Sequence, residues 1–296
     1  MNRRAAASTA SAPYAATLAL LLPACVLFAA FVVVPIVQNV WLSLHDWDGV
    51  GARTWVGAAN YRELFADPVF RTALANNARW LVVYSLAPTL GLGLALLLNQ
   101  ELFGMRLVRS LFFMPFVISQ VVVGIVFAWF LHARFGLLNE VLAPVGIGPL
   151  APLENERFAI YALIAAGLWP QSAYCMILYL TGLATIRPEL VEAARMDGAR
   201  GWRLFRHAVL PQLTPVHFIV AMVCVVSALR SFDYVMIMTG GGPFDRTSVL
   251  GFYMYEQTFA ASRYGYGAAI ATVLLVLMSG LVGFLLVRLM RAERRG

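Results

Sequence analysis

Residues 14–41 read YAATLALLLPACVLFAAFVVVPIVQNVW and contain no Asp, Glu, Lys or Arg. The uncharged stretch extends over residues 5–44. An apolar run of roughly 18 or more residues predicts a helix that crosses a lipid bilayer. Arg3 and Arg4 before it are also typical of a signal peptide, but the apolar region of such a peptide is only about 7–15 residues long. We therefore expect an uncleaved first span.

The rest of the chain is similarly apolar, with 61% hydrophobic and 12% charged residues and a mean hydropathy of +0.76. A soluble fold of 296 residues has too little interior to bury this much apolar surface. The apolar segments are continuous rather than alternating, which favours helices over barrel strands. Six of them are long enough to cross the bilayer: 14–41, 78–99, 110–131, 158–183, 212–238 and 267–290. We predict an all-α integral membrane protein with six transmembrane helices.

The distribution of charge predicts the orientation of these spans. With both termini inside, the inner side holds 13 arginines against five acids, and the outer side holds eight against nine. Arg230 and Asp233 lie within a span and complete the totals. Because cytoplasmic loops carry an excess of positive charge, we expect both termini in the cytoplasm. The predicted division is a cytoplasmic tail at 1–13 and a transmembrane domain at 14–296, with a cytoplasmic loop at 184–211.

Composition and motifs exclude several classes of function. The net charge of +7 does not indicate a nucleic-acid-binding protein, because the arginines are scattered rather than gathered in one stripe. The chain has no lysine, which excludes a Walker A loop and a Schiff-base lysine. The three cysteines show no CxxC spacing, the four histidines form no ligand cluster, and no HExxH or GxSxG motif occurs. We expect no catalytic residue, metal or cofactor.

Residues 191–211, VEAARMDGARGWRLFRHAVLP, form a charged island in this apolar chain. Residues 188–197 have helix-forming character, and Gly198 is expected to end that helix. Residues 201–210 form an amphipathic segment that Pro211 is expected to end. At 100° per residue, Trp202 and Phe205 share one face, and the arginines share the other. The island is therefore either an amphipathic helix in the lipid headgroup layer or a helix–turn–helix that enters a groove on a partner.

The spacing of this island resembles the EAA loop of ABC importer permeases. That pattern is Glu-Ala-Ala, three residues, Gly, nine residues, an aliphatic residue, one more residue, then Leu-Pro. Six residues match it: Glu192, Ala193, Ala194, Gly198, Leu210 and Pro211. Ala208 stands where Ile or Val is usual, which departs from the pattern. Asp197 and Ala199 complete a DGA string that resembles the sugar-importing branch.

Other segments extend the resemblance to nearly the whole chain. VVPIVQNVWLSLHDWDG, VGAANYRELFADPVF, FFMPFVISQVVVGIVFAWF, SFDYVMIMTGGGP and RYGYGAAIATVLL are each similar to a segment of the carbohydrate permeases. The chain resembles the first of two paired permeases of the maltose, lactose or glycerol-3-phosphate type. This implies a type I importer permease fold in the bacterial plasma membrane. It also implies import of a sugar or oligosaccharide, driven by ATP hydrolysis on a separate subunit.

The resemblance further implies a set of partners and a coupling site. The partners are a second permease subunit, two ATP-binding subunits below the membrane and a solute-binding protein above it. The cytoplasmic loop would seat a coupling helix in the ATPase. The implied coupling residues are Glu192, Ala193, Ala194, Asp197, Gly198, Trp202, Phe205, Leu210 and Pro211. The glycine-rich string at 240–243 is expected to form either a helix C-terminal turn or a lip that meets the binding protein.

A sugar pathway is expected to be polar and aromatic within the spans. The candidates in the fourth and fifth spans are Trp169, Tyr174, Tyr179, Arg230, Asp233 and Tyr234. Arg230 and Asp233 are three residues apart, so we expect them to face the same way and to neutralise each other. Belt or packing roles are the alternative for the aromatic residues, and a structural ion pair is the alternative for Arg230 and Asp233.

Two other functions stay open from the sequence. One is an ABC importer permease for another solute, such as a sugar alcohol, glycerol phosphate or amino acid. The other is a proton-coupled secondary transporter, which normally needs buried acids as proton relays. Asp233 is the one acid that lies within an expected span, so the ABC importer is the favoured hypothesis.

Overall fold

Helices make up nearly all of the regular structure in the computed structural model, which describes residues 11–293. Most of the expected tail at 1–13, and the terminal arginines at 3, 4, 294 and 295, lie outside the described residues. The helices are α1 Ser11–Phe28, α2 Val34–Leu42, α3 Ala59–Ala66, α4 Pro68–Tyr84, α5 Leu86–Leu98, α6 Met105–Val117, α7 Gln120–Phe130, α8 Leu137–Leu142, α9 Ala159–Ala184, α10 Pro188–Met196, α11 Gly201–Leu204, α12 Leu210–Gln212, α13 Thr214–Leu229, α14 Phe232–Met238, α15 Leu250–Tyr255 and α16 Tyr264–Glu293. Short π-helical turns at Ala29–Val33, Phe205–Val209 and Glu256–Ala260, and a 3-10 turn at Ala143–Val145, adjoin them.

Within the described residues, five helical rods are long and apolar enough to cross a membrane. They are Leu20–Leu42, Pro68–Leu98, Ala159–Ala184, Thr214–Met238 and Tyr264–Arg291. Four of the expected spans coincide with these rods to within a few residues. The expected span at 78–99 begins too late, because the helix starts at Pro68. Asp67 caps this helix by accepting a hydrogen bond from the Val69 amide (2.8 Å), and proline is favoured in the first turn.

The continuous span expected at 110–131 is wrong. Two helices, α6 and α7, occupy this region and meet at an angle of 90°. Ile118 and Ser119 are extended (ψ 137° and 138°), which interrupts the helix. Pro115 in the last turn of α6 has no amide hydrogen and so weakens the helix just before the break. Hydropathy does not reveal this bend because both halves are apolar. The bent pair counts as one broken span or as a re-entrant loop.

Helix α9 lies at the centre of the molecule and is packed closely by its neighbours. A Cβ atom at Gly91 of α5 would lie 2.5 Å from the Cβ of Cys175 and 2.8 Å from the Met176 nitrogen. A Cβ atom at Gly182 would lie 2.7 Å from a methyl group of Val216 in α13. These glycines therefore permit close approach between spans, as small residues do in membrane proteins.

Short polar elements hold the loop at 42–67 and the ends of the rods together. Strands β1 (His45–Asp46) and β2 (Thr54–Trp55) form a two-residue antiparallel hairpin, the exception to the all-helical prediction within the described residues. Buried Asn60 donates hydrogen bonds to the carbonyl oxygens of Ser43 and His45, both at 2.9 Å. These bonds fix the hairpin against α3.

Candidate functional site

The loop at 184–211 forms two helical segments around a sharp turn, as predicted. Pro188 begins α10, Glu189 lies in its first turn and Arg195 in its last, an order that complements the helix dipole. The helix ends at Met196. Gly198 follows in the left-handed region at φ +82°. The predicted boundaries of this helix and the breaking role of Gly198 are confirmed.

The turn after α10 is a Schellman motif. The Gly198 amide donates to the Arg195 carbonyl (3.0 Å), and the Ala199 amide donates to the Ala194 carbonyl (2.9 Å). These bonds satisfy carbonyl groups that the helix end would otherwise leave free. No atom lies within 4 Å of a Cβ built at Gly198. The requirement for glycine is therefore conformational, because a left-handed backbone strains residues that carry a Cβ.

The second segment does not end at Pro211, and that prediction is wrong. Residues Gly201–Leu204 are α-helical, Phe205–Val209 form a π turn, and α12 then contains Pro211. The Leu210 amide donates to the Phe205 carbonyl, which is the five-residue register of a π-helix. Proline has no amide to donate, so a change of register just before it lets the chain continue. Leu213 makes the turn into α13.

The loop exposes large apolar side chains between its charged residues. Met196 is 88% exposed and Trp202 is 68% exposed. The Trp202 ring lies 5.2 Å from the ring of Phe205, so the two share a face as the helical wheel predicted. Glu192 and Asp197 are also exposed, and neither forms an ion pair within the described residues. Apolar residues grouped on an exposed surface indicate an interaction site.

A second candidate site is a small polar pocket between the spans. It lies where α6 meets α7 and where α13 meets α14, and its volume is about 90 Å³. Its polar and aromatic lining comprises Tyr84, Phe116, Gln120, Gln171, Tyr174, Ser227, Ser231 and Tyr234. Gly167 also lines it, and a Cβ there would collide with the Tyr84 hydroxyl group. Hydroxyl and amide groups are costly between apolar helices, which makes this pocket a candidate functional site.

Ser231 is the least satisfied group in this pocket. Its side chain is 2% exposed, and its Oγ atom has no hydrogen-bond partner among the described residues. A buried hydroxyl group without a partner costs free energy, so its retention calls for an explanation. Across the pocket, the ring of Tyr174 stacks on Phe116 with centroids 4.3 Å apart. The pocket therefore offers both a free hydroxyl group and an aromatic face.

Two of the six predicted pathway residues, Tyr174 and Tyr234, line this pocket. The other four do not. Trp169 lies against Phe127 on another face of α9, with ring centroids 5.9 Å apart. Tyr179 is buried and packs edge-on against His217 (5.1 Å).

Arg230 and Asp233 do not form the expected ion pair; within the described residues, the ion pairs are Arg246–Glu156 and Arg263–Glu63. The helix breaks at Arg230 and Ser231, where the backbone leaves helical angles. The rule that residues three apart share a face holds only within a continuous helix. The break at Arg230 and Ser231 therefore removes the basis for the expected pairing.

Sequence reasoning missed most of the pocket. Tyr84, Gln120, Gln171, Ser227 and Ser231 were not among its candidates. A signal was available, since uncharged polar residues inside apolar segments are costly in a bilayer and mark polar pathways.

Comparison with known proteins identifies the class. Residues 87–295 match the family described as the inner membrane component of binding-protein-dependent transport systems. This match covers more than half of the chain, so the protein belongs to that family. It is a multi-pass membrane permease subunit of an ABC transporter.

Individual relatives cover most of the chain. A probable ABC transporter permease protein of Pyrococcus horikoshii is 37% identical over 261 residues, which are 87% of this chain and 89% of that protein. The sulfoquinovosyl glycerol transport system permease protein of Agrobacterium fabrum is 33% identical over 87% of this chain and 85% of its own. The trehalose/maltose transport system permease protein of Thermococcus litoralis is 31% identical over 88% of each chain.

Solved structures share the fold. A chain from the crystal structure of a bacterial ABC transporter involved in the import of the acidic polysaccharide alginate superposes with a TM-score of 0.81. The superposition covers 93% of this chain and 95% of that chain, at 22% sequence identity. The type I importer permease fold that the resemblance implied is therefore confirmed.

Proposed function

We propose that the chain imports a sugar or oligosaccharide as one permease of an ABC importer. The observation that carries the proposal is the coupling loop, in which a Schellman turn presents exposed Met196 and Trp202. The sugar permeases among its relatives support the class of cargo. ATP is hydrolysed on separate subunits, and this chain has no catalytic site of its own.

The proposed topology has six spans with both termini in the cytoplasm. It counts the bent pair α6 and α7 as one span. An even number of spans places the two ends of the chain on one side, and the excess of arginine on that side supports the cytoplasm. The tail at 1–13 and the loop at 184–211 then lie inside. The hairpin β1–β2 and the loop at 239–249 lie outside.

The coupling loop is proposed to enter a cleft on an ATP-binding subunit. Trp202 and Phe205 supply apolar anchors, and Glu192 and Asp197 pair with basic groups on the partner. The carbonyl groups of Ala193 and Ala194 lie near the C-terminal end of α10, where Gly198 makes the turn. Leu210 and Pro211 lie in α12, which connects the coupling loop to α13. A single residue separates α12 from α13. ATP binding would therefore move α13 and the coupling loop together.

The polar pocket is proposed as part of the sugar pathway. Its volume of about 90 Å³ is below the roughly 300–1,000 Å³ of ordinary ligand pockets. A second permease is therefore required to supply the opposite wall, and the helices must separate to admit cargo. The two ATP-binding subunits and an external solute-binding protein complete the assembly. The side chains proposed to line the sugar pathway are Tyr84, Gln120, Gln171, Tyr174, Ser227, Ser231 and Tyr234.

The proposal is tested by expressing the chain with the ATP-binding subunits and the second permease. We expect the four-subunit complex to be isolated intact and to take up sugar with ATP. The Gly198→Val variant should insert into the membrane, lose the ATPase and lose uptake, because valine is strained at φ +82°.

Gly198→Asn is the matched control, since asparagine tolerates the left-handed region and should retain most of the assembly. Trp202→Ala should weaken ATPase binding without altering the turn. Normal uptake by Gly198→Val, or proton-driven uptake by this chain alone, would contradict the proposal. Uptake of an amino acid or a sugar alcohol in place of a sugar would retain the coupling mechanism and correct the cargo.

A further inference from the structure

Four arginine side chains converge on one open cleft away from the polar pocket. Arg71 and Arg79 come from α4, Arg157 from the residues before α9, and Arg246 from the loop after α14. The cleft has a volume of about 800 Å³ and includes one acid, Glu156. Exposed Phe158 and Tyr161 lie in the same lining. Its composition is therefore strongly basic, with an aromatic side.

Most of this positive charge is not neutralised. Glu156 forms an ion pair with Arg246, with 3.3 Å between the glutamate Oε2 and the arginine Nε atoms. Arg71 donates to the Ala66 carbonyl (2.6 Å) and Arg79 donates to the Asn76 side-chain oxygen, so their partners are neutral. The Arg157 guanidinium has no partner among the described residues. Four arginines and one glutamate leave a formal surplus of three positive charges.

The cleft is held as a rigid unit by two buried asparagines. Asn76 donates to the carbonyl oxygens of Arg246 (2.8 Å) and Ser248 (2.7 Å). Asn77 accepts from the Leu250 amide at 2.8 Å. These bonds fasten the loop that carries Arg246 to the helix that carries Arg71 and Arg79. The backbone positions from which these arginines project are therefore fixed before a partner binds, although the side chains themselves are exposed.

The position of the cleft decides between possible occupants. The rod Pro68–Leu98 has 31 residues, which correspond to about 46 Å, whereas the hydrocarbon core takes about 30 Å. Counted from Leu98, Arg79 lies at the edge of this core and Arg71 lies beyond it. The cleft therefore opens to water more than to lipid. On α4, Ala75 lines the cleft and Tyr84 lines the polar pocket. The nine residues between these positions correspond to about two and a half helical turns, so the cleft faces away from the polar pocket.

We propose that this cleft docks an acidic surface of the solute-binding protein. The inference rests on the topology proposed above, which places the cleft outside the cell. Arginine pairs bidentately with carboxylates and is enriched in protein interfaces, and the exposed aromatic side supplies apolar contact. Unpaired positive charge also speeds the encounter with an acidic partner.

The test uses the complete importer in nanodiscs and its purified solute-binding protein, loaded with sugar. ATPase stimulation is measured against the concentration of binding protein at several salt concentrations. For the double variant Arg71→Gln/Arg157→Gln, the half-saturating concentration should rise at least about 10-fold at low salt. The difference from the wild type should shrink as salt screens exposed charges. Amidation of the surface carboxylates of the binding protein should weaken stimulation of the wild type to a similar degree.

The matched control is Arg62→Gln/Arg134→Gln, which removes two exposed arginines outside the cleft and should leave stimulation unchanged. Equal half-saturating concentrations in the two double variants would overturn the inference. So would a defect that follows the anionic lipid content of the nanodisc, or one that appears only for acidic sugars, because these results assign the cleft to lipid or cargo. A wild-type complex that no binding protein stimulates would instead contradict the proposed function itself.

Discussion

At Ser231 a hydroxyl group lies buried between the spans, within the pocket and without a partner among the described residues. It follows Arg230 at the break between α13 and α14. A helix break in a span frees backbone and side-chain groups that then need polar partners. A sugar hydroxyl group is one such partner. A hydrogen bond to it would offset the free-energy cost of the unpaired Ser231 hydroxyl group.

Replacing Ser231 by alanine should separate folding from transport. Ser231→Ala removes no hydrogen bond within the protein, so the melting temperature of the purified complex should not fall. Uptake at a fixed amount of loaded binding protein should fall between about 2- and 12-fold, the equivalent of one neutral hydrogen bond. Both quantities are measured on the same preparation, by thermal unfolding in detergent and by uptake in proteoliposomes.

Ser248 provides the control, because its hydroxyl group is equally buried and unpartnered but lies outside the pocket. Ser248→Ala should change neither the melting temperature nor uptake. If the two variants have the same uptake, Ser231 does not contact the cargo.

Among the elements, the start of α4 shows how one carboxylate ties three helices together. Asp67 accepts a hydrogen bond from the Val69 amide, from the Tyr266 hydroxyl group (2.9 Å) and from the Tyr253 hydroxyl group. These groups belong to α4, α16 and α15. Partial burial raises the pKa of Asp67, but the three hydrogen bonds outweigh this effect, and the pKa lies below its ordinary value.

Asp67→Ala should therefore destabilise the outer part of the molecule by about 1–3 kcal/mol, through loss of the cap and of the tyrosine partners. The measurement is thermal unfolding as a function of pH. Since the folded pKa is lowered, the stabilisation by Asp67 is complete above the unfolded value of about 3.9 and is lost as pH falls through the folded value. The gap between variant and wild type should be constant near neutral pH and should close in acid.

Asp48→Ala is the comparison for this prediction. Asp48 also accepts two backbone amides, those of Val50 and Gly51, but it is exposed in the hairpin turn. Its replacement should cost less than that of Asp67. An equal loss of stability in both variants would mean that the bond from Asp67 to the backbone amide accounts for the whole effect. The contacts with the two tyrosines would then contribute nothing.

The bends between elements were beyond the reach of the sequence pattern. Hydropathy located the apolar segments, because lipid solvates any helix of sufficient length and apolar character. The 90° angle between α6 and α7 and the break at Arg230 depend on backbone angles at single residues. A hydropathy average is insensitive to such angles. The polar pocket forms at these breaks, so most of its residues escaped prediction as well.

For the whole molecule, the orientation in the membrane follows from the arginine distribution and can be tested directly. In a variant without Cys25, Cys175 and Cys224, single cysteines are introduced at Phe103 and Phe244, both exposed in loops. A membrane-impermeant maleimide should label Phe244→Cys in intact cells. It should label Phe103→Cys only after permeabilisation.

Phe103 lies outside the loop at 184–211, so a bound ATPase on that loop does not decide the result. Labelling of Phe103→Cys but not of Phe244→Cys in intact cells would reverse the topology. It would also move the arginine cleft to the cytoplasm. Labelling of both positions in intact cells would mean that the bent pair α6 and α7 is a re-entrant loop rather than a span.

The sequence by itself determined the membrane class, the approximate spans, the two helical segments around Gly198 and the family. These properties depend on local composition and on a fixed spacing of residues, which the chain carries without reference to its fold. The tertiary structure decided which side chains meet. The polar pocket joins residues from α4, α6, α7, α9, α13 and α14, and the arginine cleft joins three distant segments. Such sites depend on where helices bend and cross, and those angles arise from packing between elements.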